Sequence, residues 1–169
     1  MTKLTLIKTN LKRYTFQAPK MRAWVESRAE GRVLNLFAGN TKLTLNEIRV
    51  DLDKNMPADF HMDALDFVET WALGEKFDTI ICDPPYSYRK SMEMYNGHMN
   101  SRFKLVADAL PRVIKPDGKV ISFGYHSTFM GQKRGFALDE LCVFAHGGAQ
   151  HSTIAIVERA VKRRRKIRE

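Results

Sequence analysis

The run Ile80-Ile81-Cys82-Asp83-Pro84-Pro85-Tyr86 is where residue types and spacing first suggest chemistry. A strand that merely stops at a turn would explain it, because proline has no N–H to donate and forces the residue before it into extended geometry. The same residues also make a reactive edge. Asp83 supplies a carboxylate, Pro84 a carbonyl held rigid between two proline rings, and Tyr86 an aromatic face. Two acceptors and a stacking surface after one apolar strand can hold a planar donor in a fixed pose.

Other polar residues fall at equivalent places. "FAGN" (37–40) follows an apolar run, Asp51 and Asp53 close the next, and Asp63 closes a third. In an open parallel sheet, ligands bind beyond the carboxyl ends of the strands, so these residues and Asp83 are expected to face one crevice. A carboxylate at the second strand end can accept from both hydroxyls of a ribose, and Gly39 after the first lets backbone approach a ligand closely. Each acid alone could be a helix cap or turn former. Their coincidence points to a nucleoside-bearing cofactor.

Holding these residues in place requires alternating strands and helices. Pro19 suits a first helical position, Met21, Trp24, Val25 and Arg28 recur at helical spacing, and Gly31 suits the exit. Strands are predicted over 32–37, 47–53, 58–63 and 77–82. A helix is predicted from a cap at Asn100 or Ser101 to about Lys115, kinked or closed by Pro111. "KPDG" (115–118) reads as a turn into a strand over 119–125, and "ELCVFAHGG" with "STIAIVERA" as an antiparallel hairpin. The pattern predicts an α/β, Rossmann-like three-layer fold with a mostly parallel sheet closed by a C-terminal hairpin. Residues 40–46 are too few for the usual crossover helix, which is expected to be shortened or absent.

Composition narrows the class. A chain of 169 residues with 44% hydrophobic and 28% charged residues reads as one domain with a real core, and no separate recognition domain is expected. Cys82 and Cys142 lie in apolar runs without metal-ligand spacing, and the five histidines are scattered, so buried thiols and no metal are expected. No membrane-length apolar run or signal-like start is apparent, and a cytoplasmic location is expected. The net charge of +9 is concentrated at the ends: residues 1–22 carry +6 and residues 159–169 carry +6, around a middle of −3. Basic arms suit a polyanion, and the reading is of one domain over 1–158 with a basic N-terminal arm, then a basic tail over 159–169.

"NLFAGN", "RVDLD", "HMDAL" and "DPPY", in this order and spacing, resemble the class I S-adenosylmethionine-dependent methyltransferases. Among these they resemble the amino-methyltransferases that modify exocyclic amines of nucleobases, over nearly the whole chain from about Phe16 to Glu158. The resemblance implies S-adenosyl-L-methionine as cofactor and DNA adenine N6 as target, with cytosine N4 a close rival. An RNA base methyltransferase and a non-catalytic nucleic-acid-binding module remain alternatives. It implies Asp83, Pro84, Pro85 and Tyr86 as catalytic residues. It also implies Asp51 at the cofactor ribose and Asp63 at its adenine. Phe16, Asn35, Phe37, Ala38, Gly39, Leu52, Ala64 and Asp83 would complete the cofactor site. Tyr88, Arg89, Lys90 and Tyr95, after the Asp-Pro-Pro-Tyr turn, and Lys162, Arg163, Arg164 and Arg165 in the tail would contact nucleic acid. Target choice would then rest on the 87–99 segment, the basic arms, a homodimer or a separate specificity partner.

Overall fold

Residues 33–36 are buried without exception and residues 77–82 nearly so, as expected of parallel strands covered on both faces. The computed structural model describes residues 1–85 and 102–161. In chain order these form β1 (Lys3–Lys8), α1 (Pro19–Glu26), β2 (Val33–Leu36), β3 (Glu47–Asp51), β4 (Phe60–His61) and α2 (Ala64–Trp71). After them come β5 (Phe77–Cys82), α3 (Arg102–Ala109), β6 (Ile114–Gly124), β7 (Phe136–Ala145) and β8 (Thr153–Ala160). One eight-stranded sheet has the order β1-β7-β8-β6-β5-β2-β3-β4. Only β8 runs against its neighbours, pairing antiparallel with both β6 and β7.

Alternate residues of the central strands feed two apolar layers. Leu34, Leu36, Ile80 and Val120 pack with Phe67, Val68, Val106 and Leu110 from the α2 and α3 side. Val33, Ile81 and Ile121 pack with Met21, Trp24 and Val25 of α1. Trp24 meets Phe123 and Phe144 edge-on, at centroid distances of 5.9 and 5.7 Å. Pro19 opens α1 at its first turn, where a missing N–H costs nothing. Gly31, at φ +64°, turns the chain into β2 at a point where any Cβ would strike the Asp78 carboxylate. Asp63 caps α2, its Oδ1 accepting from the N–H of Leu65 (2.9 Å) and Asp66 (3.3 Å).

Three local expectations are corrected. Residues 3–8 are not a free arm: they form edge strand β1, parallel to β7. α3 stops at Ala109 and becomes a 3-10 turn over Leu110–Arg112, because Pro111 lacks the N–H and its ring clashes with the preceding turn. "KPDG" is a bulge inside β6 rather than a turn before it. Register jumps from Phe77 opposite Ile114 to Thr79 opposite Lys119, and Asp117 takes a left-handed φ of +63°. Residues 37–46 carry no crossover helix, as expected. β8 continues to Ala160, past residue 158. Among the described residues, no helix is long and apolar enough to cross a membrane.

Candidate active site

The chain leaves β2 toward β3 and β4 on one side and reaches β5 and β6 on the other, so the topological switch point lies between β2 and β5. Carboxyl ends that diverge in this way leave a crevice. A cavity of about 560 Å³ occupies it, within the ~300–1,000 Å³ range of small-molecule sites. Gly39 from the β2 loop, Asp51 and Asp53 from the end of β3, and Asp83, Pro84 and Pro85 from the end of β5 all line it. The segment from Leu11 to Phe16 and Gln150 from the β7–β8 loop also line it.

The glycine loop owes its shape to two left-handed residues, Phe37 at φ +59° and Gly39 at φ +61°. For Phe37 that conformation costs roughly 1–2 kcal/mol, offset by packing edge-on against Phe103 at 5.7 Å. The curl sends the Ala38 N–H to the Val50 carbonyl (3.1 Å) and the Gly39 N–H to Asp51 Oδ2 (2.8 Å). Asp51 Oδ1 accepts from the Asp53 N–H at 2.9 Å, so the carboxylate, 4% exposed, is locked in orientation. A carboxylate has about four lone-pair positions, so acceptor capacity for a pair of hydroxyls remains.

Arg49 is the residue that sequence reasoning missed. It is buried, and its guanidinium makes five hydrogen bonds, matching the five donors it owns. Nε reaches the Pro57 carbonyl (2.7 Å), and the two terminal nitrogens reach the carbonyls of Thr41 (2.8 Å), Ala38 (3.1 Å) and Gly39 (2.8 Å) and Glu47 Oε1 (2.9 Å). Glu47 also accepts from the Leu43 N–H (3.0 Å) and Asn35 Nδ2 (2.8 Å). Carbonyls that a crossover helix would have organised are gathered by one side chain instead. The available signal was a lone arginine inside the apolar run "EIRVD".

Of the residues expected at the cofactor, Phe16, Phe37, Ala38, Gly39, Asp51 and Asp83 share the main cavity. Phe16 is 3% exposed and packs edge-on against Phe123 at 5.2 Å, so it is both wall and core. Leu52, Asp63 and Ala64 instead border a narrow adjoining crevice that touches the main cavity through Phe37 and Asp51. Asn35 is fully buried in β2 and is engaged with Glu47 rather than the cavity. Asp83 is half-buried, its N–H near the Leu36 carbonyl at 3.5 Å, and Pro84 is buried while still bordering the cavity. Tyr86, Tyr88, Arg89, Lys90, Tyr95, Lys162, Arg163, Arg164 and Arg165 lie outside the described residues.

The thiols are chemically quiet. Burial, joined by the Asp83 charge, pushes Cys82 far up, and burial with the Glu140 charge pushes Cys142 up to about 11. Among the described residues, no His, Cys, Asp or Glu cluster has a metal-binding arrangement.

Fold and cavity together define a Rossmann-like α/β protein with a cavity at its switch point. More narrowly, the fold is that of the methyltransferases. TrmN from Thermus thermophilus superposes with a TM-score of 0.62 at 16% identity, over 88% of this chain and 50% of that one. The 1,6-didemethyltoxoflavin-N1-methyltransferase of Burkholderia thailandensis, with 1,6-didemethyltoxoflavin and S-adenosylhomocysteine bound, gives 0.60 at 12% identity, over 83% and 76%. N-methyltransferase NodS from Bradyrhizobium japonicum WM9 gives 0.57 at 13%, over 90% and 100%. The chain thus spans about half the length of TrmN. No protein-family model and no curated protein matches the sequence.

Proposed function

We propose that this protein is an S-adenosyl-L-methionine-dependent methyltransferase acting on an exocyclic amine of a nucleobase, adenine N6 in DNA first and cytosine N4 next. The observation that carries this reading is that the Asp83-Pro84-Pro85 turn opens on the same cavity as Gly39 and Asp51. The fold of the superposed methyltransferases supports it, two of them by name transferring a methyl group to nitrogen.

The residues fit such a cofactor. Asp51, with orientation fixed by two N–H donors, suits a ribose diol, and the left-handed Gly39 leaves room for the methionine part. Three carboxylates, Asp51, Asp53 and Asp83, line the cavity at the strand ends and can face a cationic group, whereas Lys12 and Arg13 line its N-terminal-segment side. When bound, S-adenosylmethionine supplies an electrophilic methyl on a sulfonium.

An exocyclic amine is a poor nucleophile because its lone pair is delocalised into the ring. The Asp83 carboxylate and the Pro84 carbonyl each accept one of its N–H groups, drawing nitrogen toward tetrahedral geometry and aiming the lone pair at the methyl. Asp83 would stabilise the positive charge that grows on nitrogen as the sulfonium–methyl bond breaks, the surplus N–H proton would pass to solvent, and alignment would supply much of the remaining acceleration. A base must leave its helix to enter this site, so a flipped or single-stranded nucleotide is the expected form.

Nucleoside mass spectrometry after incubation with S-adenosylmethionine and mixed-sequence DNA or total RNA tests this. N6-methyladenine in DNA is expected, reduced at least ~10²-fold in Asp83→Ala. Methylation confined to RNA would move the target to RNA. A chain that neither methylates nor shows a thermal shift with the cofactor would overturn the enzyme reading.

A further inference from the structure

A second cavity, of about 670 Å³, lies where the end of β1, the start of α1 and the β7–β8 loop meet. Lys8, Lys12, Lys20 and His146 line it, and among the described residues no carboxylate does. Its floor is tied down. The Thr9 N–H donates to the Ala145 carbonyl (3.0 Å), and His146 bridges the Thr9 carbonyl (3.0 Å) and Thr153 Oγ1 (2.8 Å). Lys20 Nζ donates to the Lys8 carbonyl at 2.8 Å, which draws that ammonium over the groove and leaves two of its donors for a ligand.

All three lysines are exposed, and among the described residues none pairs with a carboxylate, whereas Lys3, Lys115 and Lys119 do. Ammonium groups gathered without counter-charge repel one another unless an anion joins them. Lys12 lines this groove and the main cavity alike, so the two adjoin. A ligand spanning both would place a neutral, donor-bearing part against Asp83 and an anionic part against the lysines. A nucleotide strand has that division, base on one side and phosphate on the other.

Resting on the nucleobase reading above, we infer that this groove holds the phosphodiester backbone flanking the base that enters the cavity. The docking surface is then built from the N-terminal strand and needs no added domain. A concave groove admits a narrow strand, whereas a flat bilayer cannot follow it.

The test is fluorescence anisotropy of a labelled, mixed-sequence single-stranded oligonucleotide across a salt series, using the full chain. Lys8→Gln/Lys20→Gln should lower the slope of log affinity against log salt by about 1.4, two contacts at roughly 0.7 each. Lys8→Arg/Lys20→Arg keeps the charge and should keep the slope. Binding of S-adenosylmethionine should be equal in all three proteins, which excludes misfolding as the cause. An unchanged slope in the glutamine variant would overturn the proposal, as would wild-type protein that sediments with phosphatidylserine vesicles but leaves the oligonucleotide free. Groove-dependent oligonucleotide binding without cofactor binding would instead sink only the methyltransferase reading.

Discussion

Replacing Arg49 by methionine removes a charge of similar length from a site where its side chain is 4% exposed. The Glu47 carboxylate, 5% exposed, then loses its counter-ion. Breaking a buried pair from one side typically costs about 3–5 kcal/mol, because the surviving charge stays out of water without compensation. Glu47 keeps its bonds from Asn35 Nδ2 and the Leu43 N–H, which places the loss near the lower figure. For a chain of this size, each kcal/mol lowers the melting temperature by roughly 2–4 °C, so Arg49→Met should melt at least about 6 °C early. Adding Glu47→Gln removes the stranded charge, and once the Asn35 amide turns over its new –NH2 can donate to Asn35 Oδ1, which among the described residues is buried without a partner. The double variant should therefore recover about 0.5–3 kcal/mol of the loss. Arg49→Lys keeps the charge but not the fork, so the Ala38, Gly39 and Thr41 carbonyls lose partners while Glu47 does not. Its stability should fall less than its affinity for S-adenosylmethionine. Urea denaturation and calorimetric titration read the two effects separately. Arg49→Met within about 1 kcal/mol of wild type, or a double variant no more stable than the single one, would refute the account of the loop.

Two further outcomes follow from the geometry. Gly39→Ala has room, since its Cβ would sit 3.4 Å from the Tyr14 ring, but φ +61° should cost about 1–2 kcal/mol and weaken cofactor binding, measured by melting with and without ligand. Stability should also depend on acid. Burial alone would raise the Glu140 carboxyl, but the hydrogen bonds and charge of Arg28, aided by Lys3, outweigh it and hold it below the usual range. A lowered carboxyl stabilises the fold above its unfolded-state pKa and stops doing so as pH falls through its folded value. Arg28→Met should therefore move the onset of acid unfolding to higher pH, followed by circular dichroism. An unmoved onset would remove Glu140 from the acid transition.

Much of this protein is written locally. The burial of β2 and β5, the proline start of α1 and the Asp63 cap of α2 follow from runs of a few residues, because period, capping and proline geometry act over that range. The missing crossover helix was legible too, as a matter of chain length. Other features depend on partners far along the chain. The first residues look like a solvated basic arm until β7 offers them a ladder of backbone partners 137 positions away at Lys3 and Glu140. Asn35 and Asp51 both stand in or at the end of short apolar strands, and only packing sends one to Glu47 and the other to the cavity. Arg49 is out of place in an apolar strand until the fold brings four carbonyls and a carboxylate to its five donors. Side-chain type and local geometry are legible in the residues alone, and they mark out the acids, the glycine loop and the Asp-Pro-Pro turn. Which of them meet was decided by the sheet order, which fixes what lies beside each strand end.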